Sequence, residues 1–365
     1  MGEQAASQQS QAQSRANVRH DDASRRKRLP VSHYIEGIQA GDRSVLAKAI
    51  TLTESSHPVD RDLADELLEV LAEESGGSIV VGITGIPGAG KSCLIEAIGR
   101  HIIADYNEKI AVLVIDPSSR ISGGSILGDK MRMPFLASSE RAFIRPSPSG
   151  GSPGGVAAHT RDAIALCKAA GYRNVFVETV GVGQAETSVR EMVDFLLLVA
   201  IAGAGDELQG IKRGVMEMVD ALAVNKADGE NVRQAEKSRG VAETALHYFP
   251  ASISGWTPQA LLCSARTGLG VHEAWSLILE HHKIMSQSGD LEQVRHAQNL
   301  AWLHESLEQG LRQMFMSIPE IQKRLAEYES KVAAGQTSPV AAARQLLSMY
   351  QPNRKKRHGK SKHRS

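Results

Sequence analysis

Apolar and polar residues follow two different periods along the chain. Six short runs of β-branched or apolar residues are nearly continuous, which is typical of strands buried on both faces of a parallel sheet. Helical stretches mostly separate these runs, so the pattern predicts an α/β fold, a mostly parallel sheet with helices on both faces, over 77–285. The predicted strands are 78–84, 110–116, 174–179, 195–201, 222–225 and 261–264.

The residues before the first strand predict helices. Asp42 is a typical helix N-cap in front of an amphipathic stretch, and a second helix is expected after Pro58. Residues 1–30 are rich in Gln, Ser, Ala and Arg and predict a disordered leader, followed by a helical segment over 31–76. The apolar positions of the two helices are Val45, Leu46, Ala49 and Ile50, and Leu63, Leu67, Leu68 and Leu71.

Behind the last predicted strand the hydrophobic period becomes that of helices. From 298 onward the apolar residues fall at spacings of three and four, and further helices are predicted after Pro319 and Pro339. These segments form an expected C-terminal helical arm over 286–352. The apolar stripe of its long helix comprises Leu300, Leu303, Leu307, Leu311 and Met314.

Composition agrees with a folded protein, because 42% hydrophobic and 23% charged residues are ordinary globular usage. Three scattered cysteines exclude a disulfide framework, and the lack of a C-x-x-C pair argues against a structural zinc site. No apolar run approaches the ~20 residues of a membrane helix, so no membrane partner is expected.

Charge is unevenly distributed around a formal net charge of +1. Residues 1–28 carry +3 and residues 354–365 carry +7, which leaves −9 for the body between them. An acidic body is a poor surface for nucleic acid, so nucleic acid is not an expected partner. The basic tail over 353–365 is expected to be disordered and solvated.

The strongest chemical signal is a phosphate-binding loop. The segment GIPGAGKS over 85–92 matches the pattern G-x-x-x-x-G-K-[ST], after a predicted strand and before a predicted helix. Its glycines let backbone N–H groups converge on phosphate oxygens. Lys91 is expected at the β- and γ-phosphates, and Ser92 is expected to bind Mg²⁺. The nucleotide-binding residues of this loop are Gly85, Ile86, Pro87, Gly88, Ala89, Gly90, Lys91 and Ser92.

A second motif indicates the base. Asn225, Lys226 and Asp228 belong to the segment NKAD, which ends a predicted strand about 135 residues after the phosphate loop. A carboxylate at 228 can accept both the ring N–H and the exocyclic amine of guanine, a donor pair that adenine lacks. The loop formed by Ser264, Ala265 and Arg266 follows a later strand and would complete a guanine pocket through its backbone N–H groups.

Several charged residues are candidates for catalysis. Glu178 ends a predicted strand, and Gly181 behind it resembles a glycine that senses a γ-phosphate. Arg132 could neutralise charge in the transition state or form an ordinary surface ion pair. The candidate catalytic residues are Lys91, Asp116, Asp129, Arg132 and Glu178, and the candidate Mg²⁺ ligands are Ser92, Asp116, Asp129 and Glu178.

One position predicts slow hydrolysis by the chain alone. Val182 follows Gly181, where Ras-like proteins carry a glutamine that orients the attacking water. Gln184 lies three residues after that glycine, and the sequence leaves open whether it substitutes.

Together the motifs resemble the MeaB/ArgK/MMAA family of G3E-type P-loop GTPases. The resemblance covers about 33–350 and includes the blocks at 145–158 and 203–212, which a generic GTPase would not share. The matching blocks are 85–92, 116–119, 123–132, 145–148, 154–158, 178–184, 203–212 and 225–228.

The resemblance implies three mobile switches. Switch I would comprise residues near 116–132, and switch II would comprise 179–188, including Gly181 and Gln184. The block at 203–212 resembles the family's third switch, whose Gln209 and Lys212 would couple a partner enzyme to hydrolysis.

The resemblance also implies a function. It is that of a GTP-hydrolysing chaperone that gates adenosylcobalamin loading and protects a B12-dependent acyl-CoA mutase, usually methylmalonyl-CoA mutase. GTP/GDP and Mg²⁺ are the implied ligands, and adenosylcobalamin is expected on the mutase because the chain has no D-x-H-x-x-G segment. The C-terminal helices would form a homodimer arm, and the implied location is the bacterial cytoplasm, or the mitochondrial matrix of a eukaryote.

One departure and two alternatives stay open. Cys93 stands where the family more often has Thr or Ser, although its backbone N–H could still bind the α-phosphate. A kinase linked to basic amino-acid transport, of the ArgK type, is opposed by the guanine motif and by the lack of an acceptor domain. A nickel or cobalt metallochaperone would need Cys/His clusters that the sequence does not carry.

Overall fold

A seven-stranded sheet forms the centre of the protein, whose structure is a computed structural model. The strands lie in the order β3-β2-β4-β1-β5-β6-β7, and every neighbouring pair is parallel. They are β1 (Ile79–Thr84), β2 (Ile110–Asp116), β3 (Ala142–Pro148), β4 (Asn174–Thr179), β5 (Phe195–Ile201), β6 (Ala221–Asn225) and β7 (Gln259–Leu262). The structure describes residues 28–55, 57–71, 77–116, 131–148, 153–179, 185–201, 213–248 and 255–350.

The predicted α/β fold is confirmed, and five of the six predicted strands agree with the observed bounds to within one residue. The prediction 261–264 is two residues too late for β7. Strand β3 was missed altogether, because Pro146 and Pro148 lie in it and proline lacks the N–H of a central strand. It is the edge strand beside β2, where proline is tolerated.

Helices cover both faces of the sheet. They are α1 (Val31–Gln39), α2 (Arg43–Thr53), α3 (Pro58–Leu71), α4 (Lys91–Asp105), α5 (Pro134–Ser138), α6 (Pro153–Ala169), α7 (Ala185–Arg190), α8 (Arg213–Met216), α9 (Val232–Leu246) and α10 (Val271–Ser288). On one face α1, α2, α3, α6, α7, α8 and α9 share a hydrophobic cluster with alternate strand residues, and on the other face α4, α5 and α10 do so.

The first helices form for the reasons that the sequence suggests. The carboxylate of Asp42 accepts hydrogen bonds from the backbone N–H groups of Ser44 at 2.7 Å and Val45 at 3.1 Å, so the predicted N-cap of α2 is confirmed. The apolar stripe behind it is buried against α6 and the sheet.

An ion pair joins α2 to the edge strand. Arg145 of β3 lies 2.6 Å from the carboxylate of Glu54 and also donates to the hydroxyl of Thr51 at 3.2 Å. Burial raises the pKa of the Glu54 carboxyl, while the Arg145 guanidinium opposes that rise. The pair therefore joins the N-terminal helices to an edge strand of the sheet.

The described residues up to Leu291 form one compact unit, and those from Glu292 form a second. In the second unit α12 and α13 pack through buried Ile321, Ala342 and Leu346. The five residues of the apolar stripe on α11 are each more than half exposed. The helices are α11 (Asp290–Met316), α12 (Pro319–Ala333) and α13 (Pro339–Ser348). Within the described ranges, every helix is too short or too polar to cross a membrane.

A partly buried carboxyl lies where α6 faces the N-terminal helices. Burial raises the pKa of Asp162 to about 7, and the carboxylate of Asp65 on α3 raises it further. Arg61 and Arg161 act in the opposite direction but do not cancel the effect. Between about pH 4 and pH 7 the folded chain therefore keeps a proton on Asp162 that the unfolded chain has released.

The raised pKa of Asp162 predicts how the free energy of unfolding depends on pH. Because an unfolded Asp ionises near pH 3.9, the free energy of unfolding should fall as the pH rises from about 4 to 7. An amide at position 162 cannot ionise, so we expect Asp162→Asn to stabilise the protein by about 2 kcal/mol more at pH 8 than at pH 5. Urea denaturation at the two pH values measures this, with Asp62→Asn on the exposed face of α3 as the control. An equal effect at both pH values would contradict the assignment.

Candidate nucleotide-binding site

The loop after β1 can fold only because it contains glycine. Gly85 and Gly90 adopt φ angles of 140° and 86°. A Cβ atom on Gly85 would lie 2.1 Å from the carbonyl oxygen of Val199, and one on Gly90 would lie 2.6 Å from Nδ2 of Asn225. The loop therefore lies directly against β5 and β6 before it enters α4.

The predicted lysine lies inside this loop. The Nζ atom of Lys91 donates to the carbonyl oxygens of Gly85 at 2.7 Å and Ile86 at 3.1 Å, and its side chain is buried. Lys91 is also the first residue of α4, so the ammonium group lies where the positive end of the helix dipole adds to its charge. The loop thus places a buried ammonium group at the N-terminus of a helix, an arrangement that suits an anion.

Two of the candidate Mg²⁺ ligands meet. The hydroxyl of Ser92 donates to Oε1 of Glu178 at 2.8 Å, although the two residues are 86 positions apart. Glu178 is buried near the end of β4, beside Ile83 of β1 in the strand register. Hydroxyl and carboxylate oxygens are the ligands that Mg²⁺ takes from proteins, so the chemistry of this pair fits that ion.

A hydroxyl pair beside this position was not predicted. Thr179 donates to the hydroxyl of Thr84 at 3.1 Å, and both side chains are buried at the adjacent ends of β4 and β1. The sequence contains no motif for this contact, because it depends on which strands are neighbours.

Asn225 joins two loops of the site. From the end of β6 its Nδ2 atom donates to the carbonyl oxygens of Ala89 at 2.9 Å and Gly90 at 3.4 Å. Its Oδ1 atom accepts a hydrogen bond from the backbone N–H of Ala265 at 3.4 Å. The carboxamide is therefore in contact with the phosphate loop on one side and the 264–266 loop on the other.

The carboxylate of Asp228 is held by this second loop. Ser264 donates its hydroxyl to Oδ2 of Asp228 at 2.5 Å, and Arg266 approaches Oδ1 at 2.9 Å. The Arg266 side chain is 75% exposed, so this ion pair contributes little to stability. Lys226 adopts a φ of 60°, which turns the chain between Asn225 and Asp228. The residues of both predicted base motifs thus lie together.

The remaining candidates are only partly described. Arg132 is exposed, as is Cys93 in the first turn of α4. Asp116 ends β2, but its side chain lies outside the described part of the chain. Outside the described residues altogether are Asp129, Gly181, Gln184, Gln209 and Lys212.

Gly85 and Gly88 allow a matched test of the loop geometry, because an added Cβ is blocked at Gly85 and unobstructed at Gly88. We expect Gly85→Ala to lower the free energy of unfolding by about 3 kcal/mol or more, because the new Cβ overlaps a backbone carbonyl. Gly88→Ala should lower it by only about 1 kcal/mol, because Gly88 has a φ of 82° but nothing within 4 Å of the added atom. Chemical denaturation measures both values, and equal losses would contradict the close approach to β5.

The family of the chain follows from comparison with known proteins. A family model described as methylmalonyl-CoA mutase-associated GTPase MeaB matches residues 46–320. A solved structure described as an LAO/AO transport system kinase is 36% identical with a TM-score of 0.67, covering 87% of this chain and 97% of that one. This structure supports the P-loop fold over most of the chain.

Curated relatives agree with the family match. A probable GTPase of Mycobacterium tuberculosis is 42% identical over 312 residues, which are 86% of this chain and 93% of the relative. The GTPase ArgK of Escherichia coli is 42% identical over 321 residues, or 88% and 97% of the two chains. A mitochondrial methylmalonic aciduria type A homolog of Mus musculus is 39% identical over 330 residues, or 88% and 79%. The expected P-loop GTPase is confirmed, and the chain belongs to the family of methylmalonyl-CoA mutase-associated GTPases.

Proposed function

We propose that the protein is a GTP-hydrolysing switch that chaperones an adenosylcobalamin-dependent acyl-CoA mutase, with methylmalonyl-CoA mutase as the first candidate. The observation that carries the proposal is the Asp228 carboxylate, held by Ser264 and Arg266 beside a phosphate loop. The name of the family supports the choice of partner.

Guanine recognition rests on the oriented carboxylate. Asp228 is a double acceptor, and guanine offers two adjacent donors, its ring N–H and its exocyclic amine. Adenine cannot supply this pair and would leave a partly buried carboxylate without hydrogen bonds, which is a strong basis for discrimination. Backbone N–H groups of the 264–266 loop would bind the oxygen of the base.

Phosphate binding rests on the loop and on Lys91. The ammonium group would exchange the two carbonyl oxygens that it now contacts for phosphate oxygens, which carry more negative charge. The Cys93 thiol would take no part in this, and its backbone N–H would bind the α-phosphate.

The residues that would hold Mg²⁺ are Ser92 and Glu178, with Asp116 and Asp129 as further candidates. When bound, the ion would supply positive charge that neutralises the charge developing as the γ-phosphate leaves. Glu178 would then orient the ion directly or through water, and Arg132 is the candidate for a second positive charge.

Control of hydrolysis by a partner protein is inferred from a water-orienting glutamine that the sequence lacks. Val182 stands where a water-orienting glutamine is found in Ras-like proteins, so the free protein should hydrolyse GTP slowly. We propose that the mutase orders Gly181 and Gln184 through the third switch, with Gln209 and Lys212 making the connection. A switch of this kind needs a segment whose order depends on the γ-phosphate.

The C-terminal unit is the proposed site of homodimer formation. The apolar stripe of α11 presents five large side chains that are each more than half exposed. A second copy of the same stripe would bury them, as apolar positions at spacings of three and four do in paired helices. Adenosylcobalamin is proposed to remain on the mutase.

The proposal predicts that a partner accelerates hydrolysis. We expect slow turnover of GTP by the purified protein, negligible turnover of ATP, and a rise of about tenfold or more on addition of methylmalonyl-CoA mutase. Lys91→Ala should abolish turnover in both conditions. Phosphate release under multiple-turnover conditions measures all of these rates.

Two further variants test the route of coupling. Gln209→Ala and Lys212→Ala should retain the basal rate and lose most of the stimulation by the mutase. Stimulation that survives both changes would refute the role of the third switch. A preference for ATP over GTP would instead favour the kinase interpretation, and GTP turnover that ignores this mutase would direct the search to other acyl-CoA mutases.

A further inference from the structure

Two histidines from different helices face each other away from the nucleotide site. His101 lies in the last turn of α4 and His272 in the first turn of α10. The Nε2 atom of His101 lies 3.3 Å from the Nδ1 atom of His272, although the residues are 171 positions apart. Their rings are nearly perpendicular, at 83°, with centroids 5.2 Å apart.

The outer nitrogen of each ring also has a partner. The Nδ1 atom of His101 lies 2.5 Å from the carboxylate of Asp105, one helical turn further along α4. The Nε2 atom of His272 lies 3.4 Å from the hydroxyl of Ser276, one turn further along α10. Each ring is therefore oriented by a residue of its own helix.

These contacts determine where the protons lie. A carboxylate can only accept, so Asp105 takes the Nδ1–H of His101 and leaves the Nε2 lone pair directed toward the other ring. His272 then donates its Nδ1–H to that lone pair and accepts from Ser276 at Nε2. One hydrogen atom thus occupies the space between the two imidazoles.

The spacing of the facing nitrogens is also that of two ligands on one metal ion. Zinc binds imidazole nitrogen at 2.0–2.1 Å, and a tetrahedral angle then separates two such nitrogens by about 3.3 Å. A carboxylate on the far nitrogen of a ligating histidine is the usual outer-shell partner of such a site, because it fixes the ring and raises its basicity. Asp105 already occupies that position.

We propose that His101 and His272 form a binding site for a late first-row divalent metal ion, with Zn²⁺ as its representative. The ion replaces the hydrogen atom between the rings, and His272 shifts to the tautomer whose Nε2–H donates to Ser276. The hydrogen atom moves from Nδ1 to Nε2 of His272, so no net proton is released. Neutral imidazole is a good ligand for Zn²⁺, Cu²⁺ and Ni²⁺.

Water would complete the coordination shell. Among the residues that the structure describes, no group of three or more His, Cys, Asp or Glu side chains is placed to hold a metal ion, so this is a two-imidazole site. Water and ions can reach it, because His272 is exposed and the His101 side chain is 15% exposed. Binding should therefore be reversible and weaker than at a closed structural zinc site.

The two helices that carry these histidines begin at or near the two loops of the candidate nucleotide site. Helix α4 begins at Lys91 of the phosphate loop, and α10 begins at Val271, five residues after the end of the 264–266 loop. An ion between the two rings would restrain the helices from which these loops extend. Metal binding is thus expected to raise the thermal stability of the folded protein by mass action.

Competition with a chromophoric chelator tests the site. The full chain is saturated with GDP and Mg²⁺ and titrated with Zn²⁺. We expect one equivalent to bind and its affinity to fall at least tenfold in His101→Gln and in His272→Gln. His304→Gln, an exposed histidine of α11, should bind as the unaltered chain does. Asp105→Asn should keep the equivalent but weaken it by about tenfold, as expected of an outer-shell partner.

A second measurement uses the unaltered chain and avoids any effect of the variants on folding. Zn²⁺ should protect His101 and His272 from acylation by diethyl pyrocarbonate, read by peptide mass spectrometry, and should leave His304 reactive. The site would be overturned if both glutamine variants bound Zn²⁺ undiminished, or if each ring reacted equally well with and without Zn²⁺. Only a hydrogen bond between the imidazoles would then remain.

Discussion

The carboxamide of Asn225 is the contact on which the candidate site depends. It donates to the phosphate loop at Ala89 and Gly90 and accepts from the 264–266 loop at Ala265. The two loops come from opposite parts of the chain, and each is held close to the end of β6 by the same side chain. The two loops of the candidate site are therefore held together by one side chain, and a glycine is required at 90 because a Cβ would lie 2.6 Å from that amide nitrogen.

Buried acids make different contacts at the amino and carboxyl ends of the strands. At the amino ends of the strands, Asp194 accepts the backbone N–H of Val80 at 2.9 Å and Asp220 accepts that of Leu196 at 2.7 Å, so these carboxylates bind backbone N–H groups where strands begin. At the carboxyl edge, Glu178 is paired with a hydroxyl on the helix that follows the phosphate loop. All three acids are buried, but only Glu178 lies at the carboxyl ends of the strands, which is where ligands bind in open parallel sheets.

The sequence was most informative where chemistry is local. The phosphate loop, the residues 225–228 and the cap at Asp42 are contiguous motifs, and each lies in the structural context that it predicts. Contacts between distant positions were not predictable, because they depend on strand order: the bridge made by Asn225, the Thr84–Thr179 pair and the meeting of His101 with His272. Strand β3 was missed because its prolines are acceptable only at an edge, and the sequence does not reveal which strand lies there.

Selection of guanine by Asp228 can be tested by measuring how the Asp228→Asn variant binds nucleoside diphosphates. An amide can donate to the C2 carbonyl of xanthine but cannot accept both donors of guanine. The variant should lose about a hundredfold in affinity for guanosine diphosphate and gain affinity for xanthosine diphosphate. Unchanged affinity for guanosine diphosphate in a folded variant would contradict it.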